Sequence, residues 1–246
     1  MKKIKIKYAF FDCWDTVIKY SNGEKDLKSK IIYDHIIDKK ISFEEFDKYY
    51  VDFLRYYHLN TLFEVREEDL FRYLLTSLGL KVDVDFTTLC EIAKDGWNPS
   101  SMEGLRELLD FFKSKGVRCS IISNTIQTEE QTRYYIRNFF NDDDFEKVIV
   151  SSSYAVKKPN HLFFELGAKL CDVDPANCLY FGDRFRADVY GSSSANMNPI
   201  WINHTNKNVI ASLDDKSTPA VMKHFKTEYA GSVDMKKVSE VLKSMQ

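Results

Sequence analysis

Residues Ile4 to Phe11 begin by alternating apolar with charged positions and end in an unbroken apolar run rich in aromatic residues. That pattern predicts a buried strand, with Asp12 at its C-terminal end. From about Asn22 to Gly96 the period changes. Leu27 to Ile37, Ser42 to His58 and Val65 to Leu78 carry apolar residues at helical spacing, with a weaker helix at Phe86 to Ala93. Residues 20–97 are therefore expected to form an inserted helical bundle, and residues 1–19 with 98–246 the domain that it interrupts.

After Asn98 and Pro99 a second rhythm sets in. Ser100 and Glu103 are spaced like a capping box ahead of a helix over Met102 to Lys115, and Gly116 closes it. The pattern continues with strand Val117 to Ile122, helix Thr128 to Phe139, strand Lys147 to Val150, helix Asn160 to Leu170 and strand Cys178 to Phe181. A last strand, Pro199 to Ile202, and a final helix, Val233 to Met245, follow. Strands alternating with helices predict the α/β class: a doubly wound parallel sheet, Rossmann-like, covered on both faces.

Charge narrows the partners. The chain has 35 Lys and Arg against 37 Asp and Glu, a formal net charge of −2, so no basic surplus points to nucleic acid or to a membrane surface. The apolar start is cut short at Asp12, too early for a signal-peptide core, and no later stretch is long enough to span a bilayer. The five cysteines form no CxxC pair, and their odd number argues against a disulfide framework. A cytoplasmic monomer or homodimer acting on a small molecule is expected.

In an open parallel sheet, ligands bind beyond the carboxyl ends of the strands. The polar residues there are Asp12, Asp15 and Thr16, then Ser123 and Asn124, then Lys157 and Lys158, then Gly182, Asp183 and Asp188. Singly, each has a bland explanation as a turn residue, a helix cap or a solvated charge. Together, the segments FDCWDT, ISNT, KKPNHLFF and FGDRFRAD, in this order, resemble the four motifs of the haloacid-dehalogenase-like (HAD) superfamily. The inserted helices also fall where that family places its cap.

The resemblance implies a Mg²⁺-dependent phosphatase. Asp12 would be the nucleophile and would form an aspartyl-phosphate. The Asp12 carboxylate, the main-chain carbonyl of Trp14, Asp183 and Asp188 would supply oxygen ligands to the cation. Lys158 would offset charge, with Lys157 as its rival, and Ser123 would donate a hydrogen bond to a phosphoryl oxygen. Asn124, Arg55 and Tyr56 are candidates for substrate binding, and the aromatic stretch around Tyr49 is expected to be mostly core. The linkers near Lys19 to Gly23 and Asp95 to Pro99 would be hinges.

Trp14 departs from the pattern. Family phosphatases usually have there a second aspartate that acts as general acid and base, and an indole does neither. Asp15, one position on, is the candidate substitute. It would face away from the phosphoryl group if the segment were extended, since neighbours on a strand point to opposite sides. An aromatic residue at this position also resembles the 2-haloacid dehalogenase branch, but Asp183 and Asp188 are both present and no arginine precedes Arg55. A binding or regulatory protein with a weakened site is the non-enzymatic alternative. Cys178 and Arg184 have the spacing of a cysteine phosphatase loop, but Cys178 lies in an apolar strand and Asp183 would repel the anion.

Overall fold

The computed structural model describes residues 6–19, 27–61 and 63–203. In chain order they form strands β1 (Tyr8–Phe11) and β2 (Ile18–Lys19), then helices α1 (Lys28–Asp34), α2 (Phe43–Asn60), α3 (Glu67–Ser77) and α4 (Phe86–Ala93). Strand β3 (Ser100–Ser101) and helix α5 (Leu105–Ser114) come next, followed by β4 (Arg118–Ser123), α6 (Glu129–Ile136), β5 (Val148–Val150) and α7 (His161–Leu170). β6 (Cys178–Gly182), the short α8 (Gly191–Ser194) and β7 (Asn198–Trp201) end the described part.

Five strands pair in parallel in the order β5-β4-β1-β6-β7. All four residues of β1 are buried, as a central strand covered on both faces requires. The period of two sorts its side chains. Ala9 and Phe11 join Phe112 of α5, Tyr135 of α6 and Phe181 of β6 on one face, whereas Tyr8 and Phe10 join Phe163 and Phe164 of α7 and Tyr180 of β6 on the other. Phe11 and Phe181 stack across the strand pair with ring centroids 4.8 Å apart. Each such fully buried ring is worth about 1.5–3 kcal/mol.

Helices α1 to α4 enclose an apolar cluster of their own, including Ile32, Phe46, Phe71, Leu74 and Leu89. Ser42 and Glu45 form the capping box that opens α2, which explains why that helix begins where its apolar period begins. The block leaves and rejoins the sheet domain beside a two-stranded antiparallel ribbon, β2 with β3.

That ribbon corrects one expectation. Ser100 does not cap a helix: it pairs with Lys19, the helix starts at Leu105, and the left-handed Gly104 (φ 79°) turns the chain into it. A reciprocal capping box occurs instead at Thr128 and Gln131, opening α6. Strand β1 is shorter than expected, and both Ile4 and the helix expected at Val233 to Met245 lie outside the described residues. The expected hinge at Lys19 to Gly23 lies mostly outside them too.

At the return linker, the Gly96 carbonyl accepts a hydrogen bond from the Leu27 N–H at 3.2 Å. A Cβ on Gly96 would come within 2.7 Å of the Lys28 backbone nitrogen. Because the obstacle is backbone, Gly96→Ala should destabilise the protein by about 1–3 kcal/mol, measured as a lower urea midpoint. An unchanged midpoint would show that the linker shifts freely.

Candidate active site

Parallel pairing places Phe11 opposite Phe181, so the residues after each strand leave the sheet together. The Asp12 N–H donates to the Phe181 carbonyl at 2.8 Å, extending the pairing one step beyond β1. Next in β6 comes Gly182. A Cβ there would lie 2.4 Å from Cβ and Cγ of Asp188, so only glycine lets that carboxylate reach the strand end. Asp188 itself sits on an irregular helical turn, Phe185–Tyr190, and its Oδ2 accepts from the Arg184 N–H at 2.9 Å.

Asp12, Asp183 and Asp188 each offer an oxygen, and these oxygens lie within 4.8 Å of one another. Such crowding is costly without a cation. Lys158 supplies one: its Nζ lies 2.8 Å from Asp12 Oδ1 and 2.7 Å from Asp188 Oδ1, fully buried. Burial lowers the lysine's pKa, but the two carboxylates outweigh it and the net shift is upward. Burial and then Asp12 and Asp188 raise Asp183 to about 6, with Asp15 adding a smaller push upward and Arg184 opposing.

The two candidate lysines are separated by direction. Lys157 Nζ donates to Thr61 Oγ1 at 3.0 Å and lies 5.1 Å from the centre of the Tyr57 ring, on the helical block. Lys158 is aimed at Asp12 by Asn124, whose side chain accepts from the Lys158 N–H at 2.8 Å and donates to its carbonyl at 2.9 Å. Asn124 thus clamps the lysine loop with both ends of its amide. Ser123 Oγ is buried at the same rim with no hydrogen-bond partner among the described residues, and the same holds for Asp183 Oδ1. Buried groups of this kind normally have partners, so both atoms are suited to an incoming ligand. Three carboxylates with an orphaned oxygen among them fit a hard divalent cation such as Mg²⁺, which takes oxygen ligands.

The segment after Asp12 is not extended. Asp15 adopts the left-handed conformation (φ 57°), which aspartate tolerates better than most side chains. The expectation that Asp15 faces away is tied to an extended segment, and this left-handed turn does not meet that condition. Trp14 joins an aromatic cluster, with centroids 4.7 Å from Trp97 and 5.8 Å from Tyr135.

Arg55, Tyr56 and Tyr49 lie exposed on α2. Among the described residues of the helical block that touch the sheet domain are Tyr57 and Thr61, against Lys157, and Glu64, against Ser151, none of them singled out by sequence. Glu64 is buried, accepts from Tyr57 Oη at 2.8 Å and from Ser151 Oγ at 3.0 Å, and its pKa is raised by that burial. The His58 ring lies 5.6 Å from that of Tyr57, and desolvation followed by the charges of Lys157 and Arg184 lowers its pKa to about 4. His35 bonds to Asp83 within the helical block. Cys178 is buried in β6 with its thiol pushed up to about 12, mainly by burial, which leaves it no role as a thiolate.

Against known proteins, a family described as haloacid dehalogenase-like hydrolase matches residues 6–196. The chain is 26% identical over 210 residues to a glyceraldehyde 3-phosphate phosphatase of Pyrococcus furiosus, covering 81% of this chain and 82% of that protein. A protein of the same name from Methanothermobacter thermautotrophicus is 27% identical over 213 residues, with coverages of 80% and 86%. The fold is similar to the crystal structure of a HAD phosphatase from Thermococcus onnurineus, with TM-score 0.59, 18% identity and coverages of 96% and 98%. It is also similar to a 2-haloacid dehalogenase from Pseudomonas syringae pv. Tomato, with TM-score 0.56, 18% identity and coverages of 80% and 86%.

Cation binding at the cluster can be checked without any substrate. Mg²⁺ at 100 times its dissociation constant should stabilise the protein by about 2.7 kcal/mol, seen as a rise in melting temperature. Asp183→Asn should remove that rise. Equal shifts in both proteins would put the cation elsewhere.

Proposed function

The chain belongs to the haloacid dehalogenase-like hydrolases, and on that footing we propose that it is a Mg²⁺-dependent phosphatase that cleaves a small phosphate monoester through a phosphorylated Asp12. The observation that carries the proposal is the meeting of Asp12, Asp183 and Asp188 around the buried ammonium of Lys158. The name shared by the curated relatives adds that a compound of the size of glyceraldehyde 3-phosphate is a reasonable substrate.

In the first step an Asp12 carboxylate oxygen bonds to phosphorus as the ester P–O bond breaks, and the leaving oxygen takes a proton. In the second, water attacks the aspartyl-phosphate, the P–O bond to Asp12 breaks, and inorganic phosphate leaves. Lys158 and the Ser123 hydroxyl bind phosphoryl oxygens, and Asn124 acts by holding the lysine loop. We assign to Asp15 the proton transfers of both steps, because it is the carboxylate next to Trp14, whose indole is too weak an acid and base for the task, and a left-handed turn rather than an extended segment carries it. Asp12, Asp183, Asp188 and the Trp14 carbonyl would hold Mg²⁺, which when bound offsets the negative charge of the phosphoryl group.

Residues 20–97 are taken as the cap over the strand ends. The charges of Lys157 and Arg184 reach His58 of α2, and these three residues are taken to lie near the alcohol portion of a substrate. Arg55 and Tyr56 are retained as weaker specificity candidates. All five cysteines are free and buried, which suits a reducing compartment such as the cytoplasm. Among the described residues no helix is long and apolar enough to cross a membrane. A 2-haloacid dehalogenase reading is less favourable: halide displacement in that branch uses no cation, and the three clustered carboxylates would then have no purpose.

A panel of phosphate esters assayed with and without Mg²⁺ should show metal-dependent release of phosphate that Asp12→Asn abolishes. Metal-independent turnover of a 2-haloacid would decide for the dehalogenase. Asp15→Asn should lower kcat on an alkyl phosphate by about 10²–10⁴-fold. In the first step, read as the initial burst of alcohol release, the loss should be smaller on an aryl phosphate, whose leaving group needs no proton. An unchanged kcat on both esters would remove Asp15 from the proton-transfer role.

A further inference from the structure

Tyr180 interrupts an otherwise apolar strand, and its hydroxyl lies at the centre of the sheet domain on a fully buried side chain. An ammonium group has three N–H donors and no acceptor. In Lys158 all three are engaged: by Asp12 Oδ1 at 2.8 Å, by Asp188 Oδ1 at 2.7 Å and by Tyr180 Oη at 2.8 Å. The Tyr180 hydroxyl also lies 2.9 Å from the Ile122 carbonyl, which can only accept. Its single proton therefore goes to the main chain, and its lone pairs are left facing the lysine. The Asp188 Oδ1 atom is farther away, at 3.3 Å.

The three acceptors are not equivalent during turnover. Asp12 must give up electron density to phosphorus, and Asp188 would help to hold a cation when one is bound, so both carboxylates have competing demands. The tyrosine oxygen has none. It is also fixed, since the ring packs edge-on against Phe164 with centroids 4.9 Å apart.

We propose that Tyr180 is a positioning residue for the reaction: its hydroxyl, with its proton given to the Ile122 carbonyl, retains one Lys158 hydrogen throughout turnover while the other two are shared among Asp12, Asp188 and the phosphoryl oxygens. This rests on the phosphatase reading above and assigns a role to a residue outside the four motif positions that carry the chemistry. The hydroxyl acts through Lys158 and forms no bond to substrate.

Tyr180→Phe removes one oxygen and keeps the ring. Loss of a hydrogen bond to a charged group predicts a protein that still folds, with kcat lowered about 10- to 100-fold and inorganic phosphate bound more weakly by a similar factor. In a Lys158→Met background the same change should leave phosphate affinity unaltered, because the group it acts through is gone. Unchanged kcat in Tyr180→Phe overturns the proposal. So does an equal loss of phosphate affinity in both backgrounds, which marks general packing. If Tyr180→Phe does not fold, tyrosine fluorinated beside the hydroxyl keeps the shape and weakens the oxygen as an acceptor, and full kcat in that protein also overturns it. A wild-type protein inactive on every ester removes the phosphatase reading and this proposal together, whereas an active wild type matched by Tyr180→Phe removes this proposal alone.

Discussion

Three carboxylates brought within one small volume repel one another, and the buried ammonium of Lys158 is the interaction that makes their assembly tolerable. The rest of the arrangement serves it. Parallel register carries Asp12 and Asp183 to the same rim, Gly182 makes room for Asp188, and Asn124 fixes the main chain on either side of the lysine's Cα. Removing one partner of a buried ion pair leaves an uncompensated charge, at a cost of about 3–5 kcal/mol. The lysine is therefore as much a structural member of the sheet domain as a candidate for chemistry. Its one cation does not balance three anions, and Asp183, with an orphaned oxygen and a pKa raised to about 6, stands where a further positive charge is needed.

Trp14 and Asp15 form a second linked pair. The chain turns into the left-handed region at Asp15, and the indole just before it joins the aromatic group with Trp97 and Tyr135. Trp97 belongs to the linker that returns from the helical block, so Trp14 connects the loop after Asp12 to the base of that block. The block is also tied to the sheet domain through Thr61 to Lys157 and Glu64 to Ser151. Lys157 and Lys158, adjacent in sequence, thus serve the two parts of the molecule separately.

Much of this was legible from the chain itself. The switch from period two to helical spacing located β1 and the four helices of the inserted block, because those elements bury one consistent set of apolar residues. The polar residues after each strand pointed to Asp12, Ser123, Lys158, Asp183 and Asp188 for a similar reason, since a parallel sheet gathers its strand ends on one side. What the pattern misjudged depended on partners remote in sequence. Ser100 looked like a cap until its pairing with Lys19 was known, and the segment that holds Asp15 looked extended until its φ was known. Tyr180 and Glu64 were passed over because a tyrosine in a strand and a glutamate in a loop carry no local mark of burial; only the fold reveals the groups they bond.

The central claim is that Asp12 bonds covalently to the phosphoryl group while a cation sits among the neighbouring carboxylates. A crystal structure of the protein with Mg²⁺ and beryllium fluoride tests it most directly, because beryllium fluoride mimics a phosphoryl group on a carboxylate. The account predicts the adduct on an Asp12 oxygen, Lys158 in contact with fluoride, and Mg²⁺ held by Asp12 and Asp183. An unmodified Asp12 at saturating beryllium fluoride, or a cation bound away from Asp183, would contradict it.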